Sequence, residues 1–562
     1  MRTLYEKTLT ATGERMFLMY PGEENRTPFK RRSLTILLDR CTREHVTEVI
    51  EQLGLETLSL EKEFVMCFPV PDGDTWAEMP FAQLYKRFTV CQEAMTKPDD
   101  LPLPRNSFGI PTLEAMMSTW HPMNDTKYLM GLGTGADAAV SLATCKPANI
   151  AALLAVGGGL LVTNGLSDSA VPVCLLDCAP EVEAYFKHAN GMDTVRTEDG
   201  MTVFAAAHNP LQQTFIAAHG TVLDAGLMRW VWEHVFMPVR RTNTCIHGDV
   251  EPSMDIEQVG FEYFIEDMRL GDGKPHTWFT HVPQMARQGT KVPLVIFCHG
   301  GSDNPAEAAE MTKLHELGER EGFITVYPWG TNRCGWNSAM EEDQEDDIGF
   351  CDRLIDYHLR SYPVDPERVY VTGFSNGAAM AQTIALIHPE KVAALFHIDS
   401  NWPGAYGGYL SVTEEDVTPF RLGFARQKEY DYRMPVWYTY GSRERSFPIF
   451  RASTQQNQYD LWKRYNHIAV SPTPEQGEDN PTGCGVRGET FELCYPSQRH
   501  PGHYYQIHRF YTDDEAHLNL YNMALMHDKG HEVAQMDAEL GWQYVRQFRR
   551  YADGSLGIVP NE

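Results

Sequence analysis

Arg368-Val-Tyr-Val-Thr372, then Gly373-Phe374-Ser375-Asn376-Gly377, then the small-residue run Ala378 to Ile387 decide how this chain is built. An apolar run reads as a buried strand, the small-residue run as a helix, and the G-x-S-x-G between them as a tight turn. A serine there sits on a strained backbone, so glycines two places before and after are required for strand and helix to approach. Working outward, Val292-Pro-Leu-Val-Ile-Phe-Cys298 is a continuous apolar run, as in a strand buried on both faces of a parallel sheet. A helix is predicted over Ala306 to Glu321, a strand over Phe323 to Tyr327 and a helix over Ile348 to Arg360. Beyond the turn, Val392 to His397 and Met434 to Tyr440 read as further strands. Strand and helix alternate, which predicts a parallel sheet with crossover helices.

The same stretch has an echo. Lys127-Tyr-Leu-Met-Gly-Leu-Gly-Thr-Gly-Ala-Asp-Ala-Ala139 aligns with Arg368 onward when Gly131 is placed on Gly373, and the register then also matches Gly135 with Gly377, Pro147 with Pro389 and Ala151-Ala-Leu153 with Ala393-Ala-Leu395. Glu63 to Pro69 echoes Gly322 to Pro328, and Val171 to Leu176 takes the place of Met434 to Tyr438. The chain therefore reads as two copies of one α/β fold, 1–240 and 241–562, with an inserted segment near 401–515 in the second.

Composition limits the function. A length of 562 residues suits two large domains, and 43% hydrophobic with 22% charged residues is ordinary for a globular protein. A net charge of −28 repels phosphate backbones and anionic lipid, so neither nucleic acid nor a membrane is expected as a partner. No run reaches the roughly 18 apolar residues of a membrane span. Met1 to Lys7 is followed by no apolar stretch of a signal peptide, and the twelve cysteines are scattered singly, so a cytoplasmic location and soluble, imported substrates are expected.

A serine hydroxyl needs a base within hydrogen-bond reach and a carboxylate to orient that base. Glu444 is the one carboxylate in the turn Gly441 to Pro448 after the Met434–Tyr440 strand, and Asp399 at the end of the preceding strand is the alternative acid. Among the C-terminal histidines, His531 sits in the glycine turn Lys529-Gly-His-Glu532 before a last amphipathic helix, Met536 to Phe548; His527 is the alternative. Those two histidines lack an HExxH pattern, with Gly530 between them, so no metal and no cofactor are expected. Backbone N–H groups of Asn376 and of Gly301, or Gly300, in His299-Gly-Gly-Ser302 would hold an oxyanion.

His299-Gly-Gly301, Cys334-Gly-Trp-Asn337, Asp346-Asp-Ile-Gly-Phe350, Pro363 to Gly377 and Gly530-His531 together resemble the polyhydroxybutyrate depolymerase and feruloyl esterase group of α/β-hydrolases, over about residues 255 to 550. The resemblance implies a fold class of two tandem α/β-hydrolase-like domains, and a serine ester hydrolase acting on hydroxycinnamoyl or other aryl esters, or on short hydroxyalkanoate esters. In that group the acid turn commonly carries an aspartate where this chain has Glu444. His299, Trp336 and Trp402 are candidate pocket residues, and Asp347 is a candidate cap for the helix beginning at Ile348.

In the first copy the elbow reads Gly131-Leu-Gly-Thr-Gly135, so Gly133 replaces the nucleophile, and Asp39-Arg-Cys41 stands near where the second copy has His299-Gly-Gly301. A degenerate domain is expected there, serving packing, pocket shape or homo-oligomer formation. Two other readings stay open for the whole: a serine peptidase of the prolyl-oligopeptidase kind, and a non-enzymatic binding protein.

Overall fold

The computed structural model describes residues 3–9, 12–21, 28–29, 32–95, 125–301, 303–331, 335–400, 417–444, 461–470, 490–494 and 504–559. The chain divides into two units, Met1–Met254 and Asp255–Glu562.

In the first unit the strands are β1 (Tyr5–Thr8), β2 (Arg15–Met19), β3 (Arg32–Leu37), β4 (Phe64–Pro69), β5 (Lys127–Leu132), β6 (Ala152–Val156), β7 (Val173–Leu176), β8 (Thr194–Glu198), β9 (Met201–Ala205) and β10 (Gln213–Ile216). They form one sheet in the order β1-β2-β4-β3-β5-β6-β7-β10-β9-β8. From β4 to β10 neighbours run parallel, and both flanks are antiparallel. Successive side chains of a strand point to opposite faces, and each face here is covered. Tyr128, Met130, Leu154 and Cys174 pack on one side with Val46, Ile50 and Trp232. Leu129, Leu153, Ala155 and Val173 pack on the other with Ala136, Val140 and Phe186. Full burial of each large aliphatic side chain contributes about 1.5–3 kcal/mol, so a one-residue register slip would forfeit both layers.

The hairpin of β11 (Val239–Thr242) and β12 (Asp249–Pro252) follows. It belongs to the first unit, which moves the boundary from 240 to Met254. Polar anchors hold it there: Arg240 pairs with Asp125 at 3.0 Å, and Tyr128 donates to the Val239 carbonyl at 3.1 Å.

The second unit repeats the plan with β13 (Glu262–Asp267), β14 (His276–His281), β15 (Val292–Cys298), β16 (Ile324–Pro328), β17 (Val364–Phe374), β18 (Ala394–Ile398), β19 (Val436–Gly441), β20 (Thr490–Cys494), β21 (Tyr505–Tyr511) and β22 (Asn519–Met526). Their order, β13-β14-β16-β15-β17-β18-β19-β22-β21-β20, is that of the first sheet strand for strand. The repeat extends to register. Tyr128 faces Ala152 and Tyr370 faces Ala394, and the helices after the elbows span Thr134–Cys145 and Asn376–Ile387.

Three local expectations are corrected. The helix predicted over Ala306 to Glu321 is two, Pro305–Thr312 and Leu314–Glu321, broken at left-handed Lys313, where Thr312 Oγ1 accepts the Leu314 N–H and Tyr327 Oη the His315 N–H. Asp346, not Asp347, caps the helix Asp347–Ser361, accepting the Gly349 N–H at 2.8 Å. The last helix is Gln535–Val545, because Phe548–Arg550 turns into a short strand. Of the insert near 401–515, residues 417–444 with the helix Thr418–Tyr430, residues 461–470, β20, β21 and the residues up to 515 are described; Trp402 lies outside the described residues. Among the described residues no helix is long and apolar enough to cross a membrane.

Candidate active site

The elbow after β17 places Ser375 at φ 53°, ψ −117°, a left-handed conformation that costs a non-glycine residue energy. Packing imposes it. A Cβ on Gly377 would strike the carbonyl oxygens of Cys298 and His299, and one on Gly373 would strike Gly377 itself. The Ser375 N–H donates to the Ile398 carbonyl at 3.0 Å, tying the turn to β18.

Two loops converge on this serine. The turn after β19 carries Glu444, and the loop after β22 carries His531. They are stitched together: Arg443 N–H donates to the Lys529 carbonyl at 2.9 Å, and Ser442 Oγ accepts the Asp528 N–H at 2.7 Å. Gly441 is needed because a Cβ there would meet the Lys529 and Gly530 carbonyls. The result is a continuous relay: His531 Nε2 lies 2.8 Å from Ser375 Oγ and Nδ1 lies 2.8 Å from Glu444 Oε1. A carboxylate only accepts, so Nδ1 carries the ring proton and Nε2 is left to accept from the serine hydroxyl. Phe374 packs against the imidazole at 4.8 Å between ring centroids.

Glu444 rather than Asp399 therefore meets the histidine. Asp399 is held by Lys529 Nζ at 3.2 Å. His527 stands apart from the relay, stacked on Tyr504 at 4.2 Å. One donor atom each of Asp399, Glu444 and His531 fall within 4.8 Å of one another, close enough to consider a metal. Both ring nitrogens of His531 already face protein partners, a geometry in which the ring can pass a proton between serine and solvent or substrate.

The oxyanion side is braced from beneath. His299 is fully buried; its Nε2 accepts the Gly330 N–H at 3.0 Å, which leaves Nδ1 to donate to the Gly300 carbonyl at 2.7 Å. Trp336, also buried, donates its indole N–H to the His299 carbonyl at 2.9 Å, while its backbone N–H donates to the Asn376 side chain at 2.6 Å. Asp347 accepts from the N–H groups of Thr331 and Asn337 at 2.9 and 2.8 Å, and burial pushes its carboxyl above the usual range. These residues fix the loop from which Gly301 projects and the elbow that bears Asn376.

The model of the family described as Esterase PHB depolymerase matches residues 280–405, which hold the oxyanion loop, the elbow and β18. An acetylxylan esterase of Coprinopsis cinerea is 33% identical over 191 residues, 28% of this chain and 48% of that protein. The second unit has an α/β-hydrolase fold, and its stretch 280–405 is similar to the esterase PHB depolymerase family. Other relatives of this hydrolase are poly(3-hydroxyalkanoate) depolymerase C of Paucimonas lemoignei, 30% identical over 20% of this chain and 29% of that one, and feruloyl esterase B of Neurospora crassa, 28% identical over 21% and 41%. The chain spans about half the length of the acetylxylan esterase and less of the other two. A solved acetyl xylan esterase from Aspergillus awamori aligns at TM-score 0.36 and 15% identity, over 51% of this chain and 99% of that one. The sheet order itself defines the fold.

The first unit repeats the hydrolase sheet with a different centre. Gly133 holds the elbow at φ 62°, ψ −132°, and the residue matching Gly300 is Asp39. Asp39 Oδ2 accepts the Thr134 N–H at 3.0 Å and lies 2.5 Å from where a Cβ on Gly133 would stand. An acid and a histidine nonetheless occupy the corresponding loops, Asp177 after β7 and His219 after β10, 2.7 Å apart. Sequence reasoning missed this pair. Its signal was present, since Asp177 directly follows the segment aligned with the β19 strand and His219-Gly220 mirrors Gly530-His531.

Proposed function

We propose that the protein is a serine carboxylic-ester hydrolase whose second unit works through an acyl-enzyme. The unbroken Ser375–His531–Glu444 relay on a strained elbow carries this reading. Ser375 Oγ attacks the ester carbonyl carbon as its proton passes to His531 Nε2, and the Glu444 carboxylate stabilises the resulting imidazolium. The carbonyl electron pair moves to oxygen, where the N–H groups of Asn376 and Gly301 hold it. Gly300 is not the second donor in this reading, because its N–H already donates to Asp303 Oδ2 at 3.0 Å. Collapse expels the alkoxide, which takes the proton from His531; water, deprotonated by the same ring, then releases the acid.

The substrates in this reading are small esters, hydroxycinnamoyl and other aryl esters or short hydroxyalkanoate esters, with acetyl esters added by the relatives' names. The acidic surface favours neutral alcohol portions over anionic ones.

Intact-mass analysis after a fluorophosphonate probe tests it, on wild type and Ser375→Ala. One adduct per chain is expected, lost in the variant, with ester turnover falling by about four to six orders of magnitude. A panel running from acetyl through hydroxybutyryl to feruloyl esters then ranks acyl groups. Absence of an adduct on folded wild type would sink the proposal in favour of a binding protein, and faster cleavage of peptides than of esters would replace it with a peptidase.

A further inference from the structure

The relay leaves a second buried carboxyl unused. Asp399 follows β18, adopts a left-handed φ of 55°, and donates its N–H to the Thr439 carbonyl at 2.8 Å. Its side chain is fully buried. Oδ2 accepts from Lys529 Nζ and the Glu532 N–H, both at 3.2 Å, while Oδ1 has no donor among the described residues. Lys529, equally buried, also pairs with Asp537 at 2.8 Å, and Asp537 accepts from Tyr505 Oη at 2.8 Å and the Ala534 N–H at 2.9 Å. An oxygen of Asp399, one of Glu444 and a nitrogen of His531 share the 4.8 Å cluster described above.

Charge decides what Asp399 is. With Asp399, Glu444 and Asp537 all ionised, three carboxylates would face one ammonium where water is scarce, and two adjacent carboxylates in such a place do not both ionise readily. The proton goes to the more buried: the Asp399 side chain is fully enclosed, whereas that of Glu444 is 10% exposed. Burial foremost, with the Glu444 and Asp537 charges adding and Lys529 opposing, holds the Asp399 carboxyl well above the usual range.

We propose that Asp399 is a positioning residue: its carboxyl keeps a proton, which Oδ1 donates to Glu444, fixing the carboxylate that orients His531. The inference rests on the serine-hydrolase reading of this site. Among the described residues the charged groups facing Asp399 are Glu444 from the acid turn, Lys529 and His531 from the histidine loop, and Asp537 from the last helix. The cluster then carries one negative charge at rest and none once His531 has taken the serine proton, which favours the charged imidazolium of the transition state.

Kinetics of Asp399→Ala and Asp399→Asn test this, with rates counted per fluorophosphonate-reactive serine so that misfolded protein does not enter. Asp399→Ala should lower kcat roughly tenfold or more with KM little changed, the loss expected for a hydrogen bond to a charged group. Asp399→Asn, whose amide can donate to Glu444 but cannot ionise, should recover most of that loss. The wild type should lose kcat at alkaline pH as Asp399 gives up its proton, and the asparagine variant should lack that limb. Equal loss in both variants would mean that the ionised form is required, and no loss in either would mean that Glu444 is positioned without Asp399; each result overturns the proposal. Infrared spectra of wild type labelled with carbon-13 aspartate need no substrate. A protonated-carboxyl band at neutral pH, removed by Asp399→Asn, is expected, and its absence overturns the proposal. A band present in protein that fluorophosphonate does not label would sink the hydrolase reading alone.

Discussion

Gly133 and Ser375 stand on elbows of the same shape, in sheets of the same order, ahead of helices of the same length, and only one of them carries a hydroxyl. The shape does not depend on the nucleophile. In both units it follows from the glycines two places away: a Cβ on Gly135 would strike the Leu37 carbonyl as one on Gly377 strikes that of Cys298. Chemistry depends on far fewer atoms. The first unit keeps an acid–histidine pair, but has no hydroxyl at Gly133, and the Asp39 carboxylate occupies the Thr134 N–H, the counterpart of the Asn376 N–H. Its histidine side chain is 98% exposed, against 48% for His531. The fold is thus shared through backbone close packing, while the two centres differ in two side chains.

The acid gives the sharpest contrast. Glu444→Gln would leave His531 without a carboxylate at Nδ1, and kcat on an ester substrate should fall about a thousandfold or more with KM little affected. The matching change Asp177→Asn in the first unit should leave turnover unchanged; a comparable drop would show that the two sites are coupled.

Next come the glycines that hold the elbows. Gly377→Ala and Gly135→Ala each force a methyl against a neighbouring backbone carbonyl and should destabilise their own unit by about 1–3 kcal/mol or more. Urea unfolding followed by hydrogen exchange, unit by unit, reads this. Equal tolerance at both positions would break the claim that packing alone dictates the turn.

Acid should separate the units further. Burial holds four histidines of the second unit neutral, His358 and His508 at about 4 and His315 and His397 at about 3, whereas no described histidine of the first unit is buried. Below the usual value of 6.5 the unfolded chain binds protons that these rings refuse, so stability falls as pH drops from about 6.5 toward 4. Each ring contributes a loss of up to about 1.4 kcal/mol per pH unit. Exchange protection, corrected for its intrinsic pH dependence, should fail first in the second unit.

The smallest effect is expected from repairing the dead elbow. Gly133→Ser alone should give no second fluorophosphonate adduct, because Asp39 stands against the new side chain and holds the Thr134 N–H. Adding Asp39→Gly should yield at most a slow, partial second adduct. Rapid labelling of the single variant would show that Asp39 does not block the site.

Much of this architecture is written locally. The apolar run, the spacing of Gly373 and Gly377, the offset repeat and the Gly530-His531 turn are short-range features, and strand or helix formation is mostly a short-range matter of periodicity and backbone conformation. Capping was less legible, since Asp346 and Asp347 are adjacent and only the course of the chain shows that the first caps the helix while the second ties two loops. Apart from the serine, acid and histidine, convergence was not legible. Asp39 reaches Thr134, Asp177 reaches His219, and Asp399 reaches Lys529 across wide separations in sequence, because sheet order brings the ends of neighbouring strands together. By itself the sequence determined two copies of one α/β plan, the serine on the second elbow, and a short choice of acids and histidines for it. Tertiary structure alone decided that Glu444 rather than Asp399 faces the imidazole, and that a carboxylate fills the empty elbow, since both turn on side-chain distances that chain order does not encode.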